Sequence, residues 1–296
     1  MSYHIVEDEY GGLRGKFSLF AVLFSIFGVV WFAAAALGSK YGLWSWQFGL
    51  GKMTIGWGPI VAFGALGVAA LACIIALVKA PRKRPFMLGL GALLISGLLA
   101  GRLAGLVAGA QSVPPIHDIQ TNWSDPIVLS DDLMAARGED SNPVLYGDEA
   151  RFPSEGREES KRFFGRLISD IQEAAECETD GKNACKDSQQ PKPYKPLNTL
   201  TIAATPDKVY QAARRLVEQR GWSIVTNDPG GGVLEATHTS PWWGFKDDIA
   251  IRFRGLENGR TAVDMRSISR VGQSDLGANA RRITTFLYDL DGQRFQ

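Results

Sequence analysis

Two hydrophobic regimes divide the chain. Residues 17–38 and 57–78 are each 22 residues long without a charge, and residues 85–110 form a third apolar run interrupted only by Arg102. A helix rising about 1.5 Å per residue needs roughly 20 such residues to cross a hydrocarbon core of about 30 Å. The pattern therefore predicts a three-helix transmembrane region over residues 1–110. The first run is longer than the apolar centre of a signal peptide, and two more follow it, so it reads as an uncleaved anchor. Gly89, Gly91, Gly97, Gly101, Gly105 and Gly109 supply small-xxx-small spacings that permit close helix contact. Arg102 is expected to snorkel toward the nearer interface or to meet a carbonyl of a neighbouring helix.

Beyond residue 110 the long apolar runs stop. Pro114 and Pro115 end the third helix and force extended chain. Residues 111–198, rich in charge, Gly and Pro, read as an extended connector. Phe163, Phe164, Leu167, Ile168 and Ile171 recur there at helical spacing and predict one amphipathic helix over 157–176. Residues 199–296 carry the pattern of a compact domain. A short strand at 200–203 leads into a helix that starts at Thr205-Pro206-Asp207, with proline in the first turn. Strands follow at 222–226, 233–239, 249–254 and 261–269, the last pair turning at Glu257-Asn258-Gly259, and a helix over 275–290 closes the chain. Strand, helix, four strands, helix predicts an α+β extracytoplasmic domain, an antiparallel sheet with helices on one face, TBP-like or helix-grip-like.

Charge refines this picture. Residues 1–110 hold nine Lys plus Arg against three acids, and the remainder holds 23 against 28, giving +6 and −5. Lys79, Arg82, Lys83 and Arg84 lie between the second and third runs, and Arg14 and Lys16 precede the first. The positive-inside rule then places the N-terminus in the cytoplasm and the C-terminal domain periplasmic or otherwise extracytoplasmic, in the inner membrane. Tyr41, Trp44, Trp46 and Trp57 flank the outer loop, where amphipathic rings prefer to sit. The bilayer is one expected partner. A mildly acidic outer part argues against nucleic acid. Cys177 and Cys185 could close a small loop in an oxidising compartment.

Candidate chemistry concentrates near the C-terminus. Period-two alternation puts Glu235, Arg252, Asp264 and Arg266 on one sheet face, where they are expected to form cross-strand ion pairs on a solvated surface or to bind an anion or a partner. Ser274 and Asp275 suit a helix start, whereas Arg270, Asn279 and Arg282 either hold that junction to the sheet or offer donors to a carboxylate or phosphate. Asp247-Asp248 follows Trp242, Trp243 and Phe245 and invites an acid–base reading. Three histidines in all, and no serine elbow or P-loop, support neither a metal site nor another cofactor.

Pro115-Ile116-His117-Asp118-Ile119, Leu234-Glu235-Ala236-Thr237, Phe245-Lys246-Asp247-Asp248, the stretch from Asp264 to Gly272 and Ser274-Asp275-Leu276-Gly277-Ala278-Asn279 resemble the bacterial and plastid family catalogued as domain of unknown function 1499. Tyr41-Gly42-Leu43-Trp44-Ser45-Trp46 and the three apolar runs resemble its membrane-anchored members. Residues 131–190 are longer than the family pattern. The resemblance implies a domain and a place on it, not a reaction.

Three functions compete. The first is a membrane-anchored domain that binds a small anionic ligand or an envelope protein through Phe245, Lys246, Asp247, Asp248, Arg266, Ser269, Arg270, Ser274, Asp275 and Asn279, with His117 and Asp118 folded against them. The second is a membrane-bound hydrolase using Asp247 or Asp248 as base, and the third a structural assembly subunit. Convergence of Asp247, Asp248, Arg266 and Asp275 on one pocket favours the first two. Dispersed, internally paired side chains favour the third.

Overall fold

The computed structural model describes residues 12–80, 82–154, 158–176 and 194–295. Cys177 and Cys185 lie outside the described residues. The chain divides into two compact units, one of Met1–Gly109 with Pro241–Gly244, the other of Ala110–Ser240 with Phe245–Gln296.

The first unit contains three helices long and apolar enough to cross a bilayer, the arrangement of a multi-pass membrane protein. Helix α1 spans Gly12–Lys40. A π-helical segment, Gln47–Trp57, runs into α2, Gly58–Val78, and α3 spans Lys83–Ser112. Their shared interior is built from small side chains. Helix α2 buries Gly58, Ala62, Ala65, Ala69, Ala72 and Ala76, at alternating spacings of four and three. Helix α3 answers with Gly89, Ala92, Ser96 and Ala100, and α1 with Ser18, Ala21, Ser25 and Gly28. Lipid tails are as apolar as leucine, so helices associate through close van der Waals contact, which small residues allow. The large side chains Phe20, Leu23, Phe27, Ile60, Leu94 and Leu98 stay exposed. Only part of the expected glycine stripe belongs to this interface. A methyl group on Gly89 would lie 3.0 Å from the Cys73 amide, whereas Gly91, Gly97, Gly101, Gly105 and Gly109 face open space. Alanine and serine do the packing there. Arg102 is exposed on α3.

In the second unit β1 (Asp118–Gln120) precedes a short helix α4 (Asp131–Ala136) and helix α5 (Ile168–Ala175). Then come β2 (Leu200–Ile202), α6 (Pro206–Gln219), β3 (Ser223–Asp228), β4 (Val233–Thr239), β5 (Lys246–Leu256), β6 (Arg260–Ser269) and α7 (Ala278–Asp291). From β2 onward the element order is the one the alternation predicts. The six strands form one antiparallel sheet in the order β1-β6-β5-β4-β3, and β2 also pairs with β6, end to end with β1. Asn258 and Gly259 turn β5 into β6 with φ of +63° and +69°, the left-handed backbone that Asn-Gly adopts most readily. Gly232, with φ +68°, immediately precedes β4, where a Cβ would sit 2.4 Å from the Phe253 carbonyl oxygen.

The predicted amphipathic helix is broken. A 3₁₀ turn, Glu158–Phe163, is separated from α5 by Gly165 at φ +68°, and Arg151 Nη1 donates to the Gly165 carbonyl at 2.9 Å. Helix α5 then buries Ile168, Ile171 and Ala175 in the core and docks polar backbone through one amide side chain. Gln172 Oε1 accepts from the Gln120 amide at 3.2 Å and from Trp123 Nε1 at 2.8 Å. Its Nε2 donates to the Gln120 carbonyl at 2.8 Å.

Both faces of the sheet are covered. Helices α6 and α7 pack on the face formed by Leu234, Ala236, Ile249, Ile251, Phe253, Val263 and Met265, which is the main core. On the opposite face Ile127, Leu129, Leu133 and Val144 pack against Ala250 and Ile268. The face expected to be solvated is therefore buried, with Glu235, Asp264 and Arg266 fully inaccessible. It is closed by a strap over 121–146 whose apolar residues are too scattered among polar ones to show a period.

Candidate functional site

Strand geometry separates the two adjacent aspartates. Asp247 and Asp248 are consecutive on β5, so their side chains leave opposite faces of the sheet. Asp247 opposes His238 on β4 and Ser269 on β6, and Asp248 opposes Thr237 and Ile268.

Under the strap, Asp248 is buried beneath two arginines. Arg270 Nε and Nη2 reach its carboxylate at 2.9 and 2.7 Å, Arg137 Nη1 at 2.5 Å, and Thr237 Oγ1 at 2.8 Å. The spare donors are used locally. Arg137 Nη2 donates to the Asn142 carbonyl at 2.8 Å and Arg270 Nη1 to the Ala136 carbonyl at 2.6 Å. Burial pulls the Arg137 pKa down and the Asp248 charge opposes that shift.

Next along the same face, Arg266 is wholly buried. Its Nε and Nη2 make a fork onto Asp118, at 3.1 and 2.6 Å. Its Nη1 donates to the Ile127 carbonyl at 2.7 Å and its Nη2 also to that of Leu145 at 3.0 Å. The guanidinium carbon lies 4.7 Å from the centre of the Tyr146 ring. Glu235 receives the Ser130 amide at 2.9 Å and the Ser130 hydroxyl, and Ser130 also caps α4. Asp264 binds Arg252 and Arg254 at 2.9 and 2.8 Å and Thr199 at 2.5 Å. Burial raises the Asp264 pKa, but these donors outweigh it and hold the carboxyl below its ordinary value. The expected Arg252–Asp264 pair forms, with its carboxylate buried and Arg252 partly exposed.

On the helix side, Asp247 meets Arg282 Nη2 at 2.5 Å. His238 Nδ1 lies 3.6 Å from Asp247 and 3.2 Å from Arg282 Nη2. Desolvation pushes the Asp247 pKa up, and hydrogen bonds from His238, Ser269 and Arg282, with the Arg282 charge, bring it below the ordinary carboxylate value. Asn279 ties α7 to the sheet: Ser267 Oγ donates to its Oδ1 at 2.8 Å, and its Nδ2 donates to the His117 carbonyl at 2.9 Å and Ser269 Oγ at 3.0 Å. The His238 side chain, 29 % exposed, is the open edge of this cluster.

The remaining candidates are placed as follows. Asp275 starts α7 by accepting the Gly277 and Asn279 amides at 2.8 and 2.6 Å, and Ser274 Oγ accepts that of Leu276 at 3.2 Å. Both serve the helix start that the sequence suggests. The Phe245 amide donates to Ser240 Oγ at 2.9 Å, and exposed Lys246 accepts the Arg270 amide through its carbonyl at 3.0 Å. His117 accepts the Ser269 amide at 2.9 Å through its carbonyl. Its buried Nδ1 has no hydrogen-bond partner among the described residues, and burial lowers its pKa. Asp247, Ser269 and Asn279 are thus brought together, as are Asp248 with Arg270 and Asp118 with Arg266, in three places on two faces. Sequence reasoning missed Arg137, Asn142, Ser130 and Gln172. The first three lie where no periodicity marks a residue as inward, and Gln172 lies in the predicted amphipathic helix, where a polar side chain reads as outward.

Asp275 carries a testable pH signature. Desolvation pushes its pKa up to about 6, with the helix amides pulling it back and the Asp247 charge adding to the rise. A carboxyl whose folded pKa is raised binds more protons folded than unfolded, so stability falls as pH climbs from about 4 to about 6 and levels off above. Asp275→Asn should flatten that slope, by an amount on the order of 3 kcal/mol between the limits, read as unfolding midpoint against pH beside the parent. A slope unchanged by the substitution would show that Asp275 is not its source.

No curated protein matches the chain significantly. Residues 173–290, from within α5 to the last turn of α7, match the family described as protein of unknown function, DUF1499, so the chain carries a DUF1499 domain over that stretch.

Proposed function

We propose that this protein is a membrane-anchored structural subunit of the cell envelope, with a rigid DUF1499-containing domain that offers its outer surface to partner proteins. The observation that carries this reading is the dispersal of the carboxylates. Asp247 and Asp248 lie on opposite faces, Asp275 starts a helix, and the buried charges of the strap layer are met by opposite charges, carbonyls or, at Glu235, the Ser130 amide and hydroxyl. A general base must reach a substrate proton, and Asp248 sits beneath two guanidiniums instead. The order strand, helix, four strands, helix supports the TBP-like version of the fold. Lys79 and Lys83-Arg84 between the second and third spans support a cytoplasmic N-terminus and an extracytoplasmic domain.

Native mass spectrometry of the full chain released from membranes tests this reading, together with C-terminal reporter fusions for sidedness. The expected spectrum holds the chain and lipid, with an alkaline phosphatase fusion active and a fluorescent-protein fusion dark. A stoichiometric small molecule or metal, lost on Arg282→Lys, would move the assignment to ligand binding. The half-open His238–Asp247–Arg282 cluster favours that second reading.

A further inference from the structure

Strand register gathers one end of the sheet around a single turn. At that end β1 begins, β6 finishes at Ser269, β5 begins at Lys246 and β4 finishes at Thr239. The Ser269 amide bonds the His117 carbonyl at 2.9 Å, and the Arg270 amide bonds the Lys246 carbonyl at 3.0 Å. Helix α3 ends at Ser112, so residues 113–117 alone join the third apolar helix to β1. Five residues reach at most about 17 Å, and the β4–β5 turn lies two to three strand spacings from β1, about 10–14 Å. The covalent tether therefore keeps this turn within reach of the bilayer surface.

The turn has the chemistry for that place. Its base is closed by the Ser240 amide on the Phe245 carbonyl at 2.8 Å. Its tip is Pro241-Trp242-Trp243-Gly244, and Trp242 is 60 % exposed. An indole pairs a large apolar body with one N–H donor and partitions to the headgroup level of a membrane. We propose that Pro241–Gly244 is a lipid-facing anchor that seats Trp242 in the headgroup region and so holds the DUF1499-containing unit against the membrane. This rests on the three spans crossing the bilayer and not on the absence of catalysis.

The test uses the full chain in phosphatidylcholine nanodiscs made with or without acyl chains brominated near the carbonyl end. The emission difference between the parent and Trp242→Phe isolates Trp242, with Trp243→Phe as control. Brominated lipid should roughly halve that difference emission, while aqueous iodide leaves most of it. Quenching by iodide and not by brominated lipid would place the turn in water and overturn the anchor. Quenching by neither would place it against protein, with the same result. Labelling of the unsubstituted chain by a lipid-dissolved photoactivated diazirine needs no variant: modification at Trp242 supports the anchor, and its absence there overturns it.

Discussion

Arg266→Met is expected to cost the domain about 3–5 kcal/mol, the loss seen when one partner of a buried ion pair is removed. Arg266 is fully inaccessible, forks onto Asp118, and supplies hydrogens to the Ile127 and Leu145 carbonyls. Methionine fills much of the volume but leaves the Asp118 carboxylate buried without its counter-charge and two strap carbonyls without donors. The strap should loosen with it, since both carbonyls belong to that segment. Chemical unfolding of the full chain followed by tyrosine and tryptophan signals would measure the loss, and hydrogen exchange would show early opening over 121–146. Adding Asp118→Leu should recover part of the stability, because an apolar pair leaves no stranded charge. A single variant within about 0.5 kcal/mol of the parent, the range of ordinary surface changes, would sink the view that this pair holds the layer.

Asp248→Asn should be comparably damaging, again about 3–5 kcal/mol, for the opposite electrostatic reason. Two guanidiniums, Arg137 and Arg270, converge on one carboxylate whose side chain is inaccessible. Neutralising it leaves two like charges facing each other in a low-dielectric layer, with the Ala136 and Asn142 carbonyls and the Thr237 hydroxyl as neutral compensation. The prediction has a sharp second half. Arg137→Met on top of Asp248→Asn should be more stable than Asp248→Asn alone, although the same substitution in the parent destabilises. Urea midpoints of the four proteins in this cycle would show the sign change. If Arg137→Met is destabilising in both backgrounds by the same amount, the two arginines are not coupled through Asp248.

The spans and the strand order were legible because each rests on a period the chain displays openly. Runs of 22 uncharged residues have few uses outside a bilayer, and Asn258-Gly259 announces its turn. The buried strap layer was not legible, for a physical reason. Alternation along β5 and β6 shows that two faces exist and that one is polar, but a polar face is buried as readily as a solvated one if its charges answer each other. The answer came from Arg137, Ser130, Asp118 and the Ile127 and Leu145 carbonyls, all far away in sequence. The strap looked like a loop because its inward residues Ile127, Leu129, Leu133 and Val144 sit among prolines, glycines and acids. For the candidate site, residue types marked a real concentration of chemistry. Side-chain parity, which sends Asp247 and Asp248 apart, decided that it is not one site.

The docking of Gln172 on Gln120 bears on how the domain keeps to itself. Strand β1 is three residues long and sits outermost beside β6, and such a strand presents free amide and carbonyl groups that another chain can pair with. The Gln172 side-chain amide occupies both groups of Gln120, donor to acceptor and acceptor to donor, as a neighbouring backbone would. One glutamine thereby imitates the next strand and ends the sheet there. Many copies crowded in the plane of a membrane would otherwise meet edge to edge, and on this side they find the template already taken.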